Sequence, residues 1–340
     1  MKTILFTEAT NENIEAAAEI IRRGGLLGIP TETVYGLGAD ALNADACRRI
    51  YEAKGRPQDN PLIIHVPDST WLSRYCENVP ESAYRLADEF WPGPLTMILP
   101  KKDVVPYRTT GGLDTVGVRC PNHPVTLAVI RAAGVPIAAP SGNTSGRPSP
   151  TTAADMVEDM DGKIDGIFDG GACSVGVEST IIDLTCKPPR LLRAGGLPLE
   201  ELQRVLGTVL VDRCITQPVA DGEHPRAPGM KYRHYAPKAP VTVVTGDGEK
   251  SADYIARHAQ QGAGVICFSE YRALFPGRVI HDLGPEGDKS EQARRVFDAL
   301  REFDVTGVPE IYAQCPDDAG LGLAIGNRLK KAAGFHVVEV

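Results

Sequence analysis

The sequence predicts an α/β protein of mixed α+β character, built from two domains that a basic linker joins. Its 340 residues exceed what one hydrophobic core usually holds, so two domains of roughly 100–200 residues are expected. In residues 1–207 the strand and helix patterns do not alternate strictly, which favours a mixed sheet with flanking helices. In residues 241–340 they alternate regularly, which is typical of a small Rossmann-like parallel sheet. Residues 208–240 form the predicted linker.

Helices of the first domain are predicted where apolar residues recur at helical spacing. The helix at 44–54 is followed by Gly55 as a C-cap. The remaining helices are expected at 11–23, 82–90, 124–133, from 152 onward and at 198–206. Short runs of apolar residues with polar, glycine or proline boundaries predict strands at 3–7, 26–29, 62–66, 95–99, 116–119, 135–139, 167–169, 179–184 and 190–193.

The second domain shows a more regular order of elements. Strands are predicted at 241–245, 264–268, 279–283 and 310–314, and helices at 251–260, 290–303 and 321–333. The segment GLGLAIG at 320–326 is not a dinucleotide fingerprint, because its glycines have the wrong spacing and no strand with a ribose-binding acid follows. Its small residues instead favour close packing of a helix on the sheet.

Composition excludes several classes of protein. The chain carries 36 Lys plus Arg against 44 Asp plus Glu, a formal charge of −8, which disfavours a general nucleic-acid binder. The eight cysteines have no spacing suited to zinc and are expected to be reduced. No apolar run is long enough to span a bilayer, and the N-terminus lacks a secretory pattern. We therefore expect a cytoplasmic protein that does not interact with membranes.

Reactive polar residues lie where predicted helices and strands end. Lys54 ends a predicted helix and Arg56 follows that helix. A loop rich in Ser, Thr, Gly and Pro, residues 140–152, follows the predicted strand at 135–139. Taken singly, such residues are typical of solvated helix ends and plain loops. Together they indicate a cleft for a small anion. The sequence lacks a Walker-type phosphate loop, a G-x-S-x-G elbow and an H-E-x-x-H metal motif.

The linker has an unusual composition. Residues 225–240 contain four prolines, four Lys or Arg, two tyrosines and no acid. A stiff, basic and aromatic segment in an acidic protein is suited to lie over an anion.

Six motifs, spread in order along the chain, resemble the threonylcarbamoyl-AMP synthase family in its two-domain form. They are PTETVYGLG at 30–38, Lys54-x-Arg56, Ser141-x-Asn143, GVEST at 176–180, LLRAGG at 191–196 and PGMKYRHYAP at 228–237. We refer to residues 228–237 as the strap. The resemblance covers nearly the whole chain and implies a YrdC-like catalytic domain followed by a smaller C-terminal domain. The family usually begins the strap motif with Ser where this chain has Ala227, which puts one hydroxyl contact in doubt.

The resemblance implies a reaction in which L-threonine, bicarbonate and ATP give threonylcarbamoyl-AMP and pyrophosphate. Mg²⁺ would accompany ATP, through ligands that the sequence does not identify. A tRNA-modifying transferase would receive the product, and tRNA itself would bind weakly at most. By the same resemblance, catalysis would fall to Lys54 and Arg56. The implied ATP contacts are Lys54, Arg56, Asn60, Thr115, Ser141, Asn143, Ser149, Arg193, Tyr232 and Tyr235. The implied threonine contacts are Thr33, His65, Arg119, Ala139 and Ser179. In this family the strap resembles a lid.

Two alternative functions remain open at this point. The basic run at 226–238 is also compatible with an RNA-binding platform that does not turn over ATP, although the charge of the chain and the absence of an RNA-recognition signature disfavour it. Carbamoyl transfer from carbamoyl phosphate is a second alternative, because related folds occur in carbamoyltransferases.

Overall fold

The computed structural model describes residues 2–217, 226–228 and 235–340. In these ranges the strands are β1 Ile4–Phe6, β2 Leu27–Ile29, β3 Gly36–Asp40, β4 Ile63–His65, β5 Leu95–Pro100, β6 Thr115–Arg119, β7 Ile137–Ala138, β8 Gly166–Phe168, β9 Thr180–Asp183, β10 Arg190–Arg193, β11 Leu210–Val211, β12 Val241–Thr245, β13 Gly264–Cys267, β14 Val279–Asp282, β15 Ile311–Gln314 and β16 Val337–Glu339. The helices are α1 Asn11–Arg22, α2 Ala44–Lys54, α3 Leu72–Tyr75, α4 Glu81–Phe90, α5 Tyr107–Thr110, α6 Pro124–Ala133, α7 Ala153–Met160, α8 Leu199–Leu206, α9 Gly248–His258, α10 Lys289–Thr306 and α11 Gly322–Ala332.

The first domain is built on a mixed sheet of eleven strands, in the order β1-β8-β2-β3-β7-β4-β6-β5-β9-β10-β11. Strands β4 and β6 run parallel, with His65 opposite Arg119. Strand β9 runs antiparallel to β6, because β5 pairs parallel with β9 and antiparallel with β6. Strand β10 is in turn antiparallel to β9. The ends of β4, β6 and β10 and the beginning of β9 therefore lie at one edge of the sheet. The prediction of a mixed sheet is confirmed.

The second domain has a five-stranded sheet in the order β14-β13-β15-β12-β16. Every pairing in it is parallel, as its alternating pattern predicts. The apolar core does not stop at the domain boundary. One cluster of buried residues includes Tyr35 and Leu37 of the first domain together with Phe297 and Leu329 of the second. The two domains therefore share a continuous packed interior in the part of the chain that the structure describes.

The sequence and the structure differ at the first domain boundary and at one central strand. We predicted that the first domain ends at residue 207, yet β11 pairs with β10 and so belongs to the first sheet. The first sheet thus extends into the predicted linker. Strand β3 was not predicted, because its sequence GLGAD offers few of the β-branched and aromatic residues that mark strands. Among the described residues, no helix is long and apolar enough to cross a bilayer.

Candidate functional site

A cleft opens at the sheet edge where β4 and β6 end and β9 begins. It encloses about 710 Å³ of empty space, with its open mouth included. The residues that line it come from strand ends, from the loop after β7 and from both described ends of the strap. They are Thr31, Thr33, Val34, Gly36, Lys54, Arg56, Ile63, His65, Arg119, Ala139, Pro140, Ser141, Asn143, Ser145, Gly146, Glu178, Ser179, Arg193, Pro228 and Tyr235.

Thr33 offers a hydrogen-bond acceptor to the cleft. The hydroxyl of Thr31 donates to the Val34 carbonyl at 2.7 Å and lies 2.8 Å from the hydroxyl of Thr33. A hydroxyl has one proton, so in this pair Thr33 is the donor and Thr31 the acceptor. The lone pairs of Thr33 Oγ1 are then left for a ligand that carries an N–H or O–H group.

His65 is a second acceptor at the same end. Its Nδ1 lies 3.2 Å from the Ile137 carbonyl, so Nδ1 carries the proton and Nε2 keeps a lone pair. Burial, with the positive charge of Arg119 beside it, lowers the pKa of His65 to about 3. The imidazole is therefore neutral at physiological pH.

Arg119 forms a buried ion pair with Glu32. Arg119 Nη2 lies 2.7 Å from Glu32 Oε2, although the angle does not make this contact a hydrogen bond. Arg119 Nε donates to the Gly93 carbonyl at 3.3 Å. The same Glu32 oxygen accepts the backbone N–H of Asn122 at 3.0 Å. The guanidinium is thus held at the cleft by partners behind it, in a position suited to a carboxylate.

Lys54 joins helix α2 to the loop after β7. The helix begins at the Asn43 cap and ends at Gly55, which adopts a left-handed conformation with φ 62°, so Lys54 is its last residue. Lys54 Nζ donates to the Ser141 carbonyl at 2.5 Å and also to the Asn143 carbonyl. Burial, reinforced by the charge of Arg56, lowers the pKa of Lys54 well below its usual value. An anion bound in the cleft would favour the protonated amine and raise this pKa again.

The loop after β7 passes close to the body of the domain. A Cβ on Gly142 would lie 2.1 Å from the sulfur of Met156, so a larger residue there would require the Met156 side chain to move. The side-chain amide of Asn143 donates to the Arg147 carbonyl at 2.8 Å. The Ser145 N–H donates to the Lys54 carbonyl at 2.8 Å. These contacts bring Ser141, Asn143 and Ser145 to the cleft.

Arg193 and Ser179 connect the two ends of the cleft. Arg193 Nε donates to the Ser179 carbonyl and its Nη2 to the Ser179 hydroxyl, both at 3.0 Å. Arg193 Nη1 donates to the Pro228 carbonyl at the start of the strap, at 3.3 Å. The Ser179 hydroxyl lies 2.7 Å from that of Thr96. Burial lowers the pKa of Arg193 to about 10, so it keeps its positive charge near pH 7.

Glu178 is a charged lining residue that the sequence analysis did not include. Its Oε1 accepts from the Ser149 hydroxyl and its Oε2 from Nε of Arg328 on α11, both at 2.7 Å. Burial raises the pKa of Glu178, but Arg328 and Arg193 outweigh burial and lower it to about 2. No sequence pattern indicates this contact, because Arg328 lies 150 residues away in an ordinary amphipathic helix.

Most of the predicted site residues come together in this cleft. Those that line it are Thr33, Lys54, Arg56, His65, Arg119, Ala139, Ser141, Asn143, Ser179, Arg193 and Tyr235. Tyr232 lies outside the described residues.

Three predicted ATP contacts do not line the cleft. Asn60 is buried in the turn after α2, where its carbonyl accepts the Tyr51 hydroxyl at 3.2 Å. Ser149 faces Glu178 rather than the cleft. Thr115 begins β6, about 13 Å from Arg119 at a rise of about 3.3 Å per residue, and so lies toward the opposite end of that strand. Their roles with ATP stay predictions.

The described part of the chain holds no group of three His, Cys, Asp or Glu residues arranged for a metal ion. The two carboxylates beside the cleft, Glu32 and Glu178, each pair with an arginine. The residues present therefore do not form a site for Mg²⁺ on the protein alone.

Comparison with known proteins gives one consistent result. A family model described as telomere recombination, named for Sua5, YciO and YrdC, matches residues 19–195. A second, described as the C-terminal domain of threonylcarbamoyl-AMP synthase, matches residues 197–334. A threonylcarbamoyl-AMP synthase of Pyrococcus abyssi is 50% identical over 96% of each chain, and one of Bacillus subtilis is 45% identical over 97% of this chain and 96% of its own. The crystal structure of P. abyssi Sua5 complexed with L-threonine superimposes with a TM-score of 0.92 and 47% identity, covering 100% of both chains.

Proposed function

The chain belongs to the threonylcarbamoyl-AMP synthase family, and on that premise we propose that it is a nucleotidyltransferase that makes threonylcarbamoyl-AMP. Its substrates are L-threonine, bicarbonate and ATP. The other products are pyrophosphate and the water that is lost when the threonine nitrogen and bicarbonate form the carbamate. The product supplies the threonylcarbamoyl group for the adenosine next to the anticodon of tRNAs that read codons beginning with A. A separate tRNA-modifying transferase carries out that second step.

The observation that carries the proposal is that one cleft has two chemically different ends. One end combines the acceptors Thr33 and His65 with the cation Arg119, which suits the hydroxyl and the carboxylate of L-threonine. The other end combines Lys54, Arg56 and Arg193, which suits a triphosphate. Ser179 lies between them and contacts Arg193. A carbamate on the threonine nitrogen would then face the α-phosphate.

The proposed step needs positioning rather than a covalent intermediate on the protein. A carbamate oxygen attacks the α-phosphorus, a new P–O bond forms, and the bond to the bridging oxygen of pyrophosphate breaks. Negative charge builds on the phosphoryl oxygens and on the leaving pyrophosphate. Lys54 and Arg193 are buried and Arg56 is partly buried, and fixed cations in such a setting stabilise this charge without reorganising.

The strap supports the proposal at its two described ends. Pro228 and Tyr235 both line the cleft. The N–H of Ala236 donates to the Gly146 carbonyl, in the loop after β7, at 3.0 Å. We propose that these two described ends of the strap flank the bound nucleotide and help to keep water from the mixed anhydride product. The rest of the strap lies outside the described residues. Mg²⁺ is proposed to arrive as a complex with ATP, held by phosphate oxygens and water.

The experiment is mass spectrometry of the product formed from ATP, L-threonine and ¹³C-bicarbonate, with pyrophosphate release measured in parallel. The proposal predicts threonylcarbamoyl-AMP that carries the label and release of pyrophosphate that requires both L-threonine and bicarbonate. Carbamoyl phosphate replacing bicarbonate would instead favour the carbamoyl-transfer alternative. Tight tRNA binding at moderate salt, without any ATP turnover, would favour the RNA-binding alternative.

A further inference from the structure

Helix α11 of the second domain places consecutive buried polar residues against the first domain. The side-chain amide of Asn327 donates to the Ile215 carbonyl at 2.7 Å. Its neighbour Arg328 has no exposed surface at all and is among the largest fully buried side chains described. A buried guanidinium is costly unless it is paired, so the surroundings of Arg328 indicate what it does.

Arg328 contacts the catalytic cleft through one carboxylate and one aromatic ring. Its Nε donates to Glu178 Oε2 at 2.7 Å, and its Nη1 donates to Asn327 Oδ1 at 2.9 Å. Its guanidinium carbon lies 5.6 Å from the ring centre of Tyr235, within cation–π range. The same ring also packs against Phe297 of α10, at 5.0 Å between ring centres. Two helices of the second domain thus contact Tyr235 of the strap.

Glu178 connects Arg328 to residues on the nucleotide side of the cleft. It lines the cleft itself, accepts the Ser149 hydroxyl and hydrogen-bonds with the side chain of Tyr235. Its neighbour in the chain, Ser179, accepts two hydrogen bonds from Arg193. One carboxylate therefore links the loop after β7, the strap and the second domain.

We propose that Arg328 is a positioning residue, supplied by the second domain, that holds Glu178 and through it fixes Tyr235 at the nucleotide side of the cleft, with Ser149 supporting Glu178 from outside the lining. This inference rests on the proposed function. It gives the second domain a part in the reaction of the first. A contact that only stabilised the packing of the two domains would change the stability of the protein. It would not change KM for ATP or the pH dependence of the activity.

The test compares Arg328→Met, Arg328→Lys, Glu178→Gln and the double variant Glu178→Gln/Arg328→Met in the full chain. Lys330→Met is the matched control, because Lys330 lies on the same helix, forms only a 3.9 Å ion pair with Asp318 and does not line the cleft. Steady-state pyrophosphate release is measured with ATP and L-threonine varied separately. We expect KM for ATP to rise roughly tenfold in Arg328→Met, several times more than KM for L-threonine. KM for ATP in Arg328→Lys should lie between the values for wild type and Arg328→Met. In Lys330→Met it should equal the wild-type value.

A pH profile separates positioning from a structural role. Charged or titratable groups near Glu178 are Arg328, Arg193, Tyr235, Lys54 and Lys331. Without Arg328 the buried carboxylate loses its hydrogen-bonded cation, so its pKa rises. Wild type keeps Glu178 ionised, whereas Arg328→Met protonates it toward the acid end and loses the carboxylate that contacts Ser149 and Tyr235. The activity of Arg328→Met relative to wild type should therefore fall by more than about threefold as the pH is lowered from 8.5 to 5.5. In the double variant, which has no carboxylate at 178, the relative activity should be independent of pH.

The inference is overturned if Arg328→Met shows wild-type kinetics, or if it lowers kcat with KM for both substrates unchanged and no pH dependence. If Arg328→Met does not fold, Arg328→Lys and the double variant are compared with wild type in the same way. Equal kinetics of Arg328→Lys and wild type across the pH range would then overturn the inference. Failure of the proposed function is distinguishable, because then the wild-type chain itself would form no threonylcarbamoyl-AMP.

Discussion

Lys54 Nζ lies 2.5 Å from the carbonyl oxygen of Ser141, so the last residue of helix α2 holds the loop that follows β7. The two segments are 87 positions apart in the chain. Because the same amine also donates to Asn143, Lys54 shapes the loop and adds positive charge to the cleft at once.

Replacing Lys54 with Ala removes both the loop anchor and a charge that stabilises the phosphoryl transfer. We expect kcat/KM for ATP to fall by roughly 10²- to 10³-fold, the range for losing one preorganised donor to developing charge. Pyrophosphate release with ATP varied is the measurement. Arg48→Ala is the control, since Arg48 lies on the same helix and pairs with Glu52 at the surface. A Lys54→Ala protein with normal kinetics would remove Lys54 from the mechanism.

Replacing Arg119 with Lys keeps the charge but loses the planar fork that matches a carboxylate. Charged hydrogen bonds are worth about 1.5–3 kcal/mol, so KM for L-threonine should rise roughly 10- to 150-fold. KM for ATP should change little, because Arg119 lies at the other end of the cleft. Equal effects on both substrates would show that Arg119 does not distinguish them.

Thr33 should contribute to recognition of the threonine hydroxyl. An unpaired buried acceptor costs about 1–3 kcal/mol, so wild-type enzyme should prefer L-threonine over L-valine by roughly 5- to 150-fold in kcat/KM. The preference should shrink in Thr33→Val and persist in Thr33→Ser, which keeps the hydroxyl. If all three proteins show the same preference for L-threonine over L-valine, a group other than Thr33 recognises the hydroxyl.

His65 should make the folded protein sensitive to mild acid. Its pKa is about 3 in the folded protein and about 6.5 in the unfolded chain, so between these values the unfolded chain binds more protons. Stability therefore rises with pH across this window and is lost as the pH falls from 6.5 toward 3. From pH 7 to pH 5 this single group should cost about 2 kcal/mol. Urea unfolding of wild type and His65→Gln at both pH values tests this, and an equal loss in the two proteins would contradict it.

The sequence predicted those parts of the fold that local chemistry determines. Helix α2 has the bounds that were predicted, because Asn43 and Gly55 provide an N-cap and a left-handed C-cap. The parallel sheet of the second domain follows from its regular alternation. Strand β3 escaped prediction because its glycines are tolerated only through pairing with β2 and β7.

The candidate site was predictable as a set of residues but not as an arrangement. The ends of β4, β6 and β10 supply His65, Arg119 and Arg193, and residues at strand ends can be read from the sequence. The pairing of Glu178 with Arg328 could not be predicted from the sequence, because it depends on how the second domain packs against the first. The same holds for Ser149, which the structure turns toward Glu178.

The most direct test is a crystal structure of this chain with L-threonine and a non-hydrolysable ATP analogue bound together. The account predicts both ligands in the cleft described here. The threonine carboxylate should lie within hydrogen-bond distance of Arg119, and the phosphates should contact Lys54 and Arg56. Either ligand bound away from these residues, or the two ligands in separate cavities, would contradict the account.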